Sequence, residues 1–214
     1  MTSTRPVPAP RRALIVIDVQ NEYFTGGLPI EYPPTAVSLP NIAAAMDAAA
    51  AAGIPVIVVQ NDSPADASLF AIGSHSWQLH ADVAARKYDL LLHKTLPSVF
   101  AENPLRQWLQ ERDVDTLAVA GYMTHNCDAS AIFDAAHFGL AVEFLQDATG
   151  SLPYANAAGS ATAEEIHRVF STVFHSRFAA VTNTAAWIGA LQSGLPIARS
   201  NIAVSNQQAR TQTV

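Results

Sequence analysis

Residues 117–138, LAVAGYMTHNCDASAIFDAAHF, decide the fold. LAVA at 117–120 is an apolar, strand-forming run with no polar alternation, the pattern of a strand buried on both faces. It breaks at Gly121, and a helical stretch from Asn126 to Phe138 follows and is stopped by Gly139. The same strand-then-helix unit recurs on both sides. Further buried runs are ALIVI at 13–17, VIVV at 56–59, LLL at 90–92, VEFL at 142–145 and AAV at 179–181. Helical stretches alternate with them: 41–52, ended by Gly53; 104–112, opened by Pro104; and 162–174. The last opens with a Thr162/Glu165 capping-box spacing and carries Ile166, Val169, Phe170 and Val173 on one face. Such alternation predicts an α/β fold: an open, mainly parallel six-stranded sheet with helices on both faces, a Rossmann-like three-layer arrangement with right-handed crossovers.

The chain of 214 residues is sized for one domain, expected over 13–191. A Pro-rich segment at 1–12 and a polar one at 192–214 lack apolar period and are expected to be mobile tails. Residues 61–88 form a long irregular connection, a length more common in active-site lids than in plain connectors. Hydrophobic residues make up 50% and charged residues 14%, which argues for a packed globule. A net charge of -6 removes the broad basic field on which nucleic-acid binding depends. No apolar run approaches the length that spans a bilayer, and no apolar signal segment follows the basic start. A cytoplasmic location is therefore expected, and Cys127, the only cysteine, agrees with it because no internal disulfide can form.

Ligands in open parallel sheets bind beyond the carboxyl ends of the strands, so the residue closing each apolar run locates the chemistry. Those residues are Asp18; Gln60, Asn61 and Asp62; His93 and Lys94; Gly121 with Cys127 six positions on; and Asp147. An acid, a base and a thiol thus share one rim. A free thiol near pKa 8.5 is only about 3% ionised at neutral pH and needs a proton acceptor or a positive neighbour. Asp18 supplies the acceptor, and Lys94, one of two lysines in the chain, the positive charge. Cys127 falls in a helical first turn, where free N–H groups favour an anion and can line an oxyanion hole. Tyr23, Phe24, Trp77 and Tyr122 flank this rim as candidate pocket walls.

Seven histidines invite a metal reading, but none forms HExxH, and Asp62-Ser63-Pro64 lacks a neighbouring histidine, so no metal or other cofactor is expected. GxGxxG, a Walker A loop and GxSxG are all absent.

Three segments, IDVQNEYF at 17–24, HKTLPSVF at 93–100 and GYMTHNCD at 121–128, resemble in order and spacing the isochorismatase-like cysteine hydrolases. That group contains nicotinamidases, N-carbamoylsarcosine amidases and isochorismatases, and the similarity covers residues 12–189. The resemblance implies Asp18 as general acid/base, Lys94 as electrostatic partner and Cys127 as nucleophile. It also implies a cis peptide before Met123, an oxyanion hole from the N–H groups of Met123 and Cys127, and Tyr23 and Trp77 in the substrate pocket. A homodimer or homotetramer acting on a small-molecule substrate, without membrane or nucleic acid, is implied as well. Two positions depart from the family: of the nicotinamidase Asp/His metal set only Asp62 is present, and Asp128 stands where relatives carry a small apolar residue. Retention of Cys127 with Lys94 favours hydrolysis of a C–N bond. Vinyl ether hydrolysis of the isochorismatase type, a catalytically silent binding domain and a redox-sensing cysteine remain the open alternatives.

Overall fold

The computed structural model describes residues 8–212, so most of the expected N-terminal tail, residues 1–7, lies outside the described residues. In chain order the elements are β1 (Arg12–Ile17), α1 (Thr35–Ala51), β2 (Val56–Asn61), α2 (Ala81–Ala84), β3 (Leu90–Lys94), α3 (Leu105–Gln110), β4 (Thr116–Tyr122) and α4 (Cys127–His137). They continue with β5 (Ala141–Gly150), β6 (Tyr154–Asn156), β7 (Gly159–Ala161), α5 (Ala163–Val173), β8 (Ala180–Thr182), α6 (Thr184–Ser193) and α7 (Ile202–Gln212). Six strands form one parallel sheet in the order β3-β2-β1-β4-β5-β8, and β6 and β7 make a separate hairpin.

Both faces of the sheet are covered, which is why its strands read as unbroken apolar runs. Along β1, Ala13, Ile15 and Ile17 pack towards Leu105 and Leu109 of α3, Ile132 and Ala135 of α4 and Phe174. Leu14 and Val16 point the other way, towards Ile42 and Met46 of α1, Val83 of α2 and Trp187 of α6.

The strand order reverses between β1 and β4: β2 and β3 lie to one side, β5 and β8 to the other. This is the switch point at which open sheets leave a crevice. At its floor Gly121 pairs with Ile17, and a Cβ there would stand 2.1 Å from the Ile17 carbonyl oxygen. With φ of +115° as well, Gly121 occupies a position only glycine fills without strain, and it lets β1 and β4 close at their ends.

Two expectations change. The first long helix begins at Thr35, upstream of the expected Asn41, and holds Pro40 in its second turn, where the ring removes one backbone donor without ending the helix. The segment expected as a patternless C-terminal tail contains α7, started by Asn201, whose side chain accepts from the Val204 N–H at 2.9 Å. No apolar stripe marks α7, so hydrophobic periodicity had nothing to register. Just before it, the Leu195 carbonyl accepts from Arg12 Nη2 at 2.7 Å and ties this segment to the start of β1.

Candidate active site

Asp18, immediately after β1, takes a left-handed backbone (φ 51°) and is fully buried. Lys94 closes β3, two strands away, and its long side chain spans β2 to reach the switch point. Its ammonium stands 2.7 Å from Asp18 Oδ2, outside good hydrogen-bond alignment, and donates at 3.2 Å to both Cys127 Sγ and Asn61 Oδ1. Cys127 opens α4 and is 6% exposed. The three residues singled out in the sequence are therefore in mutual contact.

Burial drives the electrostatics. It pushes the Asp18 carboxyl up, with Lys94 opposing. Burial by itself would lower the Lys94 ammonium, but Asp18 and then Cys127 outweigh it and hold it above the usual lysine range. The Cys127 thiol is pushed up strongly, by burial first and the Asp18 carboxylate second, with Lys94 pulling the other way. One cation already matched to a carboxylate cannot also fully offset a sulfur anion in a dry site, which is why the net push on the thiol is upward.

The Tyr122–Met123 peptide is cis. It turns the chain from β4 into α4, and Asn126 N–H and Asp128 N–H both return to the Met123 carbonyl, at 3.0 and 3.2 Å. Among the described residues the N–H groups of Met123 and Cys127 donate to no backbone carbonyl.

The aromatic residues divide. Trp77 is half-buried, donates its indole N–H to Asp62 Oδ1 at 2.8 Å and stacks with His93, whose Nδ1 is 3.1 Å from the same oxygen. A cleft of about 200 Å³ lined by Asp62, His93, Lys94 and Leu96 opens beside them. Phe24, also half-buried, meets Tyr122 edge-on and His80 at a tilt. Tyr122, expected as a pocket wall, is instead buried in the core: its ring meets Tyr23 and its hydroxyl bonds Ser38 of α1 at 2.8 Å. Tyr23 packs between Tyr122 and Phe70 at 2% exposure, and burial first, then the nearby ionisable groups Cys127, Asp18 and Asp128, push its hydroxyl up. A larger groove of about 700 Å³ by α7 contains none of these residues.

Asp147 does not belong to this rim. β5 runs on to Gly150, and the Asp147 carboxylate accepts from the Thr184 N–H and hydroxyl, both at 2.8 Å, fixing the start of α6.

Sequence reasoning passed over Gln20 and Glu22, both inside the IDVQNEYF segment. Gln20 is fully buried and clamps Asn61 from both sides, accepting its N–H and donating to its carbonyl, while also donating to the Trp77 carbonyl. Glu22 accepts from the Gly27 and Phe70 N–H groups. Together they pin the 61–88 connection over the strand ends. Polar residues just after a buried strand were the available signal. His125 was read only as one of seven histidines; it meets Tyr154 of the hairpin, whose hydroxyl is pushed up by burial first and by the nearby ionisable Cys127 second.

The isochorismatase domain model matches residues 12–186. A crystal structure of a candidate isochorismatase from Burkholderia xenovorans LB400 superposes with a TM-score of 0.95 at 62% identity, covering 96% of this chain and 99% of the other. The secreted isochorismatase effector of Verticillium dahliae is 29% identical over 77% of this chain and 87% of its own length. The ureidoacrylate amidohydrolase of Methylobacterium radiotolerans is 30% identical over 86% and 80%. Among the described residues no helix is long and apolar enough to cross a membrane. The fold, the matched domain and these relatives agree, and the chain belongs to the isochorismatase family of hydrolases.

Proposed function

We propose that the protein hydrolyses a C–N bond of a small molecule through a thioester on Cys127, with Asp18 as the proton carrier and Lys94 as the fixed counter-charge. The observation that carries this reading is the Lys94 ammonium set between Asp18 Oδ2 and Cys127 Sγ, at 2.7 and 3.2 Å. One positive charge there balances one negative charge, whether the proton sits on sulfur or on the carboxyl. Moving it from Cys127 to Asp18 therefore leaves the net charge of the buried site unchanged, which removes the main cost of making a nucleophile in a dry pocket.

Asp18 takes the thiol proton as Sγ bonds to the carbonyl carbon, and the carbonyl π pair moves onto oxygen. The free N–H groups of Met123 and Cys127 support a role in holding that oxyanion. As the carbonyl re-forms, the C–N bond breaks and Asp18 delivers its proton to the departing nitrogen. Water then attacks the thioester and gives a proton to Asp18; the acid leaves as the C–S bond breaks, and Asp18 returns the proton to sulfur. No cofactor enters these steps.

The reading is tested by screening small carboxamides and ureido compounds for ammonia or amine release with the wild type and with Cys127→Ala, Asp18→Ala and Lys94→Ala. Each variant is expected to lose turnover with its fold intact, and intact-mass analysis of the quenched wild type is expected to reveal an acyl adduct on Cys127. Sustained amine release by Cys127→Ala overturns the covalent route.

A further inference from the structure

Asp128 is a buried acid that these steps leave idle. Its side chain is fully buried, and neither carboxyl oxygen has a hydrogen-bond partner. It caps nothing, since its own N–H returns to the Met123 carbonyl and its oxygens receive no N–H. The large majority of buried polar side-chain atoms in folded proteins are paired, so an acid with both oxygens unpartnered calls for a functional account.

Its position says what kind of partner. Asp128 follows the nucleophile in the first turn of α4, within electrostatic reach of Asp18, Lys94 and the Tyr23 hydroxyl. Lys94 is the single cation against three acidic groups, Asp18, Cys127 and Asp128, and its charge is matched by Asp18 at 2.7 Å. A second buried anion would stand uncompensated, so Asp128 rests as the neutral acid. A neutral carboxylic acid presents one O–H donor beside one carbonyl acceptor. The complement is a group with an acceptor beside a donor, C=O next to N–H. An ester offers only the acceptor.

We propose that Asp128 recognises the substrate by its amide edge, pairing its two carboxyl oxygens with the C=O and N–H of a primary carboxamide or ureido group and discriminating against esters of the same shape. This rests on the hydrolase reading above and narrows its substrate class. Asp128 is a specificity residue here, and the steps of bond breaking remain with Asp18 and Cys127.

The single cysteine allows a test that needs no known substrate. Iodoacetamide carries an amide edge and methyl iodoacetate does not; with either, the C–S bond forms as iodide leaves and the thiol proton is lost. Second-order rates of Cys127 alkylation by both reagents are measured on the full chain, and the ratio of the two cancels general changes in thiol reactivity. Asp128→Val is expected to lower the iodoacetamide to methyl iodoacetate ratio at least about tenfold, whereas Asp128→Asn, which keeps a donor beside an acceptor, stays within about threefold of wild type. An unchanged ratio in Asp128→Val overturns the proposal and leaves the hydrolase reading standing. A Cys127 inert to both reagents overturns the hydrolase reading, and this proposal with it.

Should Asp128→Val not fold, the infrared difference spectrum of wild type minus Asp128→Asn decides. A carboxylic-acid C=O band at neutral pH that shifts with acetamide but not with methyl acetate is expected. Its absence, or a shift with both, overturns the proposal.

Discussion

Among the described residues two buried ionic clusters stand out, and they are built in opposite ways. Near the start of β1, Arg12 grips Glu143 of β5 with two hydrogen bonds of 2.8 Å; Trp187 Nε1 donates to the same carboxylate at 2.8 Å, and the Leu195 carbonyl takes a further Arg12 N–H. At the other end of the sheet, Asp18 has the Lys94 ammonium at 2.7 Å and the Cys127 thiol as its polar neighbours, and neither Asp128 oxygen has a hydrogen-bond partner. Both clusters sit in the same low-dielectric interior. The first satisfies its charges completely and joins β1, β5 and α6; the second leaves the Asp128 oxygens without partners next in sequence to the Cys127 thiol. In the first every charge is met by directed hydrogen bonds, whereas in the second the Asp128 oxygens receive none.

The contrast is broken most severely at Asp18. Asp18→Asn keeps the shape but cannot carry the proton, and kcat is expected to fall by about 10³-fold or more, with Tm at or above that of wild type. Steady-state amine release and a thermal melt check both halves; a lower Tm with retained turnover reverses the assignment of the two clusters.

Glu143→Ala should do the converse. It strands a buried guanidinium and an indole N–H, at a cost of about 3–5 kcal/mol. Urea unfolding measures that loss, while the rate of Cys127 alkylation, read well below the transition, is expected to remain that of wild type.

A third polar cluster sharpens the comparison through pH. His167 shares a hydrogen bond of 2.9 Å with Thr124, and burial lowers it to about 4; burial does the same to His125. An unfolded histidine takes up its proton near pH 6.5, so between that value and about 4 the unfolded chain binds protons that the fold refuses. Stability is then complete above about 6.5 and is lost as pH falls towards 4, with His167 contributing on the order of 2–3 kcal/mol. Chemical denaturation at pH 7 and pH 4.5 should display this loss, and His167→Asn should flatten it.

The smallest effect carries the opposite sign. Burial, reinforced by Asp18, raises the Asp128 carboxyl well above the usual range. The fold therefore holds a proton that the unfolded chain releases above about pH 4, and stability falls as pH rises past that point. Asp128→Asn removes this cost and is expected to stabilise the protein at pH 7 by about 0.5–2 kcal/mol, with the gain vanishing near pH 4. A destabilised Asp128→Asn protein would mean that Asp128, like Glu143, is architectural.

Much of this was legible in the chain. Unbroken apolar runs located all six sheet strands because both faces are covered, and Thr162 with Glu165 marked the start of α5 through a capping box that the structure forms. Asp18, Lys94 and Cys127 were found because a parallel sheet sends every strand end to one edge. Tyr122 and Asp147 were misplaced for a shared reason. Proximity in sequence to a strand end does not say which way a side chain points, and Tyr122 turns to Ser38 while Asp147 turns to Thr184.

The sequence by itself determined the layer architecture, through the period of its apolar residues, and the three residue types available at the strand ends. It also placed an acid directly after the single cysteine, at Asp128. Only the tertiary structure decided which charges share one counter-ion, that burial pushes the Cys127 thiol up, and that the Asp128 oxygens lack partners while those of Glu143 are filled. Local propensity acts over a few residues, whereas solvation and charge balance depend on what surrounds a group in space. For Lys94 and Cys127 those surroundings come from chain segments 33 residues apart.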